Sequence, residues 1–117
     1  MQAERTPIFV KTFDFVLWLF PHTAKFPRTL RHTLTNRLEA ALLDFQGTIL
    51  RANRLRGGAR LEMLDGADGL LDSVRMLVRL SASFGHLSQG QYEHAAERLT
   101  EIGRLLGGWR KATAEGR

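Results

Sequence analysis

The chain contains no cysteine. That absence excludes a disulfide framework and any metal held by thiolates. Proline is scarce, with three in 117 residues, so little interrupts long helices. No stretch alternates apolar and polar residues with a period of two, so strands are not expected. The longest apolar run is Phe15 to Phe20, far short of the ~20 residues a bilayer span requires. Glu4, Lys11 and Asp14 interrupt the N-terminal stretch where a secretory signal would need an unbroken apolar core. The expected location is therefore cytoplasmic, with no membrane partner. Lysine is scarce as well: three, against fourteen arginines.

What is present is a 44% hydrophobic composition, ample for one core, and a net charge of +5 from 17 basic and 12 acidic residues. Arginine suits bidentate contact with phosphate and carboxylate. Two readings stay open: a polyanion or acidic-protein partner, or a surface merely solvated by charge.

Periodicity predicts a single domain over residues 1–117 with four helices, roughly 7–23, 28–55, 59–83 and 89–112. Thr6-Pro7 opens the first, a cap residue followed by Pro at the first helical position. Its stripe reads Phe9, Phe13, Val16 and Phe20. Pro27 disfavours a helical Phe26, and a second seam then runs Leu30, Leu34, Leu38, Ala41, Phe45, Ile49 and Ala52. Gly57-Gly58, among Arg54 to Arg60, reads as a break. Leu61, Leu64, Leu71, Val74, Leu77 and Val78 mark the third helix, with Gly85 in a terminating position just past its end. Ser88-Gln89-Gly90-Gln91 forms a capping box for the fourth. That helix aligns Tyr92, Ala95, Leu99, Ile102, Leu106 and Trp109 on one face, and Thr113 to Arg117 reads as a frayed tail. Short connections make neighbours antiparallel. The expected fold is all-α, an up-down-up-down antiparallel four-helix bundle.

Five pieces in order resemble one family: FDFVLWLFPHTAKFPR (Phe13 to Arg28), RHTLTNRLEAALLDF (Arg31 to Phe45), DSVRMLVRLS (Asp72 to Ser81), LSQGQYE (Leu87 to Glu93) and EIGRLLGGWRK (Glu101 to Lys111). Their order and spacing are similar to the Avd family, the accessory variability determinants of diversity-generating retroelements. The resemblance implies a four-helix bundle that assembles as a homopentamer with a basic surface. It also implies a non-catalytic role binding a reverse transcriptase and nucleic acid, the template RNA and possibly DNA, during mutagenic copying. No cofactor is implied.

Arg75 and Arg79 lie one turn apart and match the family's paired arginines. They could offer a face to phosphate or to an acidic patch on the polymerase. Alternatively they join an ion-pair ladder with Asp68 and Asp72. Arg28, Arg31 and Arg37 gather where the second helix starts. Exposed N–H groups there favour anions, whereas cations at that end oppose the helix dipole. Arg104 joins the basic faces of the last helix with Arg98, Arg110 and Lys111. Arg51, Arg54, Arg56 and Arg60 ring the Gly57-Gly58 turn, most simply as a solvated loop. Gly103 and Gly107 sit four apart in a helix, where each costs about 1 kcal/mol against Ala; close packing is the expected reason. With Trp18 and Trp109 they are candidate subunit-contact residues, since the run around Trp18 is apolar on more than one face.

Chemistry finds little support. Asp65, Asp68 and Asp72 fit a solvated face better than a metal site. No Glu is followed by His three residues later, as a di-iron bundle requires. His22, His32, His86 and His94 show no ligand spacing, and no nucleophile elbow or phosphate loop occurs. No stacking platform for single strands is visible in the sequence. The competing expectations are a self-assembling helical interaction module with no nucleic-acid role, and a bundle-type enzyme such as a mutase or metal oxidase.

Overall fold

The computed structural model describes residues 5–116. Four long helices carry the chain: α1 (Pro7–Thr23), α2 (Asn36–Asn53), α3 (Gly57–Ser83) and α4 (Gln89–Ala114). A 3₁₀ turn (Arg28–Leu30) and a π turn (Arg31–Thr35) lead into α2. No strand occurs among the described residues. The molecule is a rod of 45 × 25 × 22 Å.

Side-chain contacts set the directions. Phe9, early in α1, meets Trp109 late in α4. Trp18, late in α1, meets His94 early in α4. Thr23 at the end of α1 donates to Glu39 at the start of α2. Arg60 at the start of α3 donates to the carbonyls of Ala52 and Asn53 at the end of α2. Arg110 near the end of α4 reaches Asp65 near the start of α3. Every neighbouring pair is therefore antiparallel, and α4 closes the ring against α1.

Local chemistry explains the ends. Thr6 precedes α1 with Pro at its first turn, and its carbonyl accepts the N–H groups of Phe9 and Val10. Ser88 and Gln91 make both bonds of the capping box. Gly85 has φ +82°, which a side chain would strain. It sends its N–H to Ala82 O while His86 N–H reaches Ser81 O, the paired bonds of a Schellman ending.

Several expectations need correction. The buried face of α1 is Ile8, Phe9, Thr12, Phe15, Leu19 and Thr23. Phe13, assigned above to the stripe, is 55% exposed, and Val16 and Phe20 are half-buried. Threonine is admitted inside because its hydroxyl bonds back to its own helix: Thr12 to Ile8 O, Thr23 to Phe20 O. In α2 the buried residue is Leu42, with Ala41 at the margin. The second helix is not regular from residue 28, because Pro27 disfavours a helical Phe26 and itself stands extended at ψ 139°, and the chain re-enters through tighter and then wider turns. Gly57 and Gly58 belong to α3, leaving only 54–56 as the break. Thr113 and Ala114 continue α4, and Thr113 is buried; Arg117 lies outside the described residues.

The core runs the length of the rod. Phe15, Leu19, Leu38, Leu42, Phe45, Ile49, Leu64, Leu71, Leu99, Ile102 and Leu106 are almost fully enclosed. Burying a side chain of this kind contributes roughly 1.5–3 kcal/mol, so the core rather than helix propensity holds the bundle.

Candidate nucleic-acid interface

The α1–α2 connection builds a basic hollow. Pro27 turns the chain, and the 3₁₀ and π turns that follow deliver Arg28, Arg31 and His32 around a cavity of about 420 Å³. Thr35 lines the same hollow, and its hydroxyl is buried without a hydrogen-bond partner. A buried hydroxyl left unpaired is costly, and π turns recur at functional sites. Glu39 lines it too, engaged by the Thr23 hydroxyl. Arg28 and Arg31 are exposed, and neither has an ion pair among the described residues. Arg37 is exposed in the first turn of α2 and does not line the hollow.

A second basic face lies along α3 and α4. Arg75 bonds Asp72 at 2.8 Å and lays its guanidinium over Gly103, where a Cβ would collide with it. Arg79, one turn on, is exposed and has no ion pair among the described residues, and the same holds for Arg104 on α4. Arg110 donates to Asp65 through Nε at 3.0 Å and Nη2 at 2.7 Å, and lies 3.5 Å from Asp68. The Asp65 hydrogen bonds, aided by the charge of Asp68, hold this guanidinium above its ordinary range. Of the ladder anticipated for Arg75, Arg79, Asp68 and Asp72, the structure has the Arg75–Asp72 pair, while Asp68 pairs across helices with Arg110 and Arg79 joins no ion pair among the described residues. Spacing within one helix could not reveal Arg110 as the second rung.

Two further arginines are engaged by the fold. Arg60 caps the end of α2 and stands 5.6 Å over the Trp109 ring. Arg98 neighbours Glu97 and Glu101, and Glu101 also pairs with Lys11 across the α1–α4 seam.

Trp18 packs on Phe15 and lies against the rings of His22 and His94. Trp109 is half-buried against Phe9, with its indole N–H buried and unpaired. Gly103 already has a neighbour in its own chain, while an added Cβ at Gly107 would meet nothing within 4 Å. The exposed large apolar residues are Phe13 and Leu17 on α1, Leu43 and Leu50 on α2, and Met76, Leu80 and Phe84 at or near the end of α3. The excess apolar surface of α1 was visible in its VLWLF run; the row on α3 was not singled out, although its spacing of four is in the sequence.

Among the described residues no group of His, Asp and Glu could hold a metal ion, and no helix is long and apolar enough to cross a membrane. A family model described as bAvd-like matches residues 8–113. No curated protein matches the sequence.

Proposed function

The chain belongs to the bAvd-like family, and from that premise we propose that it is a non-catalytic accessory protein of a diversity-generating retroelement. In this reading it is a cytoplasmic, homo-oligomeric basic adapter, a homopentamer by family resemblance. It binds the reverse transcriptase and the template RNA during mutagenic cDNA synthesis. The observation that carries it is the unequal use of arginine. The Asp65, Asp68 and Asp72 carboxylates are taken by Arg75 and Arg110. Among the described residues, Arg28, Arg31, Arg37, Arg79 and Arg104 are exposed and make no ion pair. Phosphate is a fitting partner for such forks, and subunit contact falls to the exposed apolar residues of α1 with Trp18, Trp109 and Gly107.

The test is RNA binding followed by fluorescence anisotropy across a salt series, with assembled mass from light scattering. Binding should weaken steeply with salt, because neutralised phosphates release counterions. Arg79→Glu with Arg104→Glu should weaken RNA binding and flatten the log–log salt slope by about 1.4 for a single strand, two contacts at ~0.7 each. Helicity should not change. The enzyme half is tested by asking whether a reverse transcriptase is encoded beside the gene and whether it co-purifies with this chain. A protein that assembles yet ignores RNA and DNA at low salt would defeat this reading. It would favour the helical interaction module, which the exposed Phe13, Leu17, Met76, Leu80 and Phe84 support.

A further inference from the structure

Three rings are linked by contact at the end of the rod that carries the basic hollow. Phe26 is buried and lines the hollow itself. The His86 ring centroid lies 5.7 Å from that of Phe26 and 6.2 Å from that of Phe84, with the planes tilted by 42° and 37°. Phe84 is 60% exposed. The row thus climbs from the floor of an arginine-lined cavity to an open aromatic face. Its backbone is fixed: Gly85 turns the chain at φ +82°, and the His86 N–H is held by Ser81 O at 2.9 Å. A turn held by backbone bonds that presents an exposed phenyl ring, linked through His86 and Phe26 to a hollow whose arginines make no ion pair among the described residues, is poorly explained by packing within the chain.

We propose that this end of the bundle is a single-strand site, where Arg28 and Arg31 hold a backbone phosphate at the hollow and an unpaired base stacks on His86 and Phe84. The inference rests on the nucleic-acid reading above and specifies it. Single-strand binding combines a positive groove with ring faces on which bases stack, and every base has such a face. The two components stand here within one aromatic row. In a duplex the bases are already stacked and paired, so this row has nothing to offer it. The hollow is cationic on balance, with Arg28 and Arg31 against Glu39, whose carboxylate is engaged by Thr23. The Thr35 hydroxyl supplies a donor that the chain leaves unused.

The experiment compares a fluorescein-labelled 12-nucleotide oligouridine with a 12-base-pair RNA duplex, using the full chain. Phe84→Leu keeps the side chain apolar and removes the ring. It should weaken oligouridine binding about tenfold, within the range measured for base–aromatic contacts, and leave duplex binding unchanged. Phe84→Trp should restore the single-strand affinity. Leu80→Ala, one turn away and also exposed, should change neither. Arg28→Glu with Arg31→Glu should lower oligouridine binding more than duplex binding. Unchanged oligouridine affinity in Phe84→Leu overturns the stacking site, and if the arginine variants still lose RNA the nucleic-acid reading survives. A change of assembled mass in Phe84→Leu also overturns it, by giving Phe84 to a subunit contact. Failure of the unaltered protein to bind any RNA or DNA brings down the broader reading and this site with it.

Discussion

At the scale of single residues, Gly103 shows how a sequence signal can be right in kind and incomplete in address. Two glycines four apart announce that something approaches the helix closely. At Gly103 that object is the guanidinium of Arg75, steadied by Asp72. The same pattern would arise if the neighbour were another subunit, so one chain's sequence cannot say which. The geometry makes a measurable coupling. Gly103→Ala should gain up to about 1 kcal/mol in helix propensity and lose much of it by pushing Arg75 aside. The guanidinium is the far end of a flexible chain, so the net change in urea unfolding should stay within about 0.5 kcal/mol. In an Arg75→Ala background nothing opposes the new methyl group, and the full gain of about 1 kcal/mol should appear. Equal effects in the two backgrounds would mean that Arg75 does not rest on Gly103 in solution.

At the scale of elements, α1 separates what periodicity can and cannot decide. Its helical character and both ends were legible, because Thr6-Pro7 and Pro27 bound it. Its orientation was not, because Phe and Leu occupy nearly every side and the moment of such a helix points nowhere in particular. Two of the residues that face the core are threonines, which a hydrophobic count discards; their bonds to Ile8 O and Phe20 O make burial affordable. Thermal melts of three variants check the orientation. Phe15→Ala should cost about 3–5 kcal/mol as a core truncation. Phe13→Ala should cost less than about 1 kcal/mol in the isolated chain. Thr12→Val keeps the shape and should be close to neutral, since the Ile8 carbonyl that accepts from the hydroxyl keeps its bond within the helix when the hydroxyl is gone. A Phe13 variant as damaging as the Phe15 one would restore the stripe read from spacing. The entry into α2 was legible only as a boundary. That the chain passes through a 3₁₀ and then a π turn depends on how α1 and α2 meet, which no local pattern encodes. The aromatic row was hidden for the same reason, because Phe26 and Phe84 are 58 positions apart and meet through His86 only once the bundle closes.

At the scale of the whole molecule, a net charge of +5 says little until the carboxylates are assigned to partners. Asp65 and Asp68 hold Arg110 across helices, and Asp72 holds Arg75 along one. These pairs are half-exposed, so each contributes at most about 1 kcal/mol to stability. Their larger effect is on the field outside, because they cancel positive charge on the α3–α4 face while the hollow at the α1–α2 connection keeps its own. Removing the cancellation should therefore change binding more than folding. Asp65→Asn with Asp68→Asn raises the net charge by two and releases Arg110. The melting temperature should fall by no more than a few degrees. If RNA crosses the α3–α4 face, the freed arginine adds one phosphate contact, and the log–log salt slope for a single strand should steepen by about 0.7. Affinity should rise most at low salt, where screening is weakest. An unaltered slope together with tighter binding would mean that the gain is long-range attraction, with the strand held at the hollow alone. An unaltered slope with unaltered affinity would remove the α3–α4 face from the binding surface and leave Arg75 and Arg110 as struts between helices.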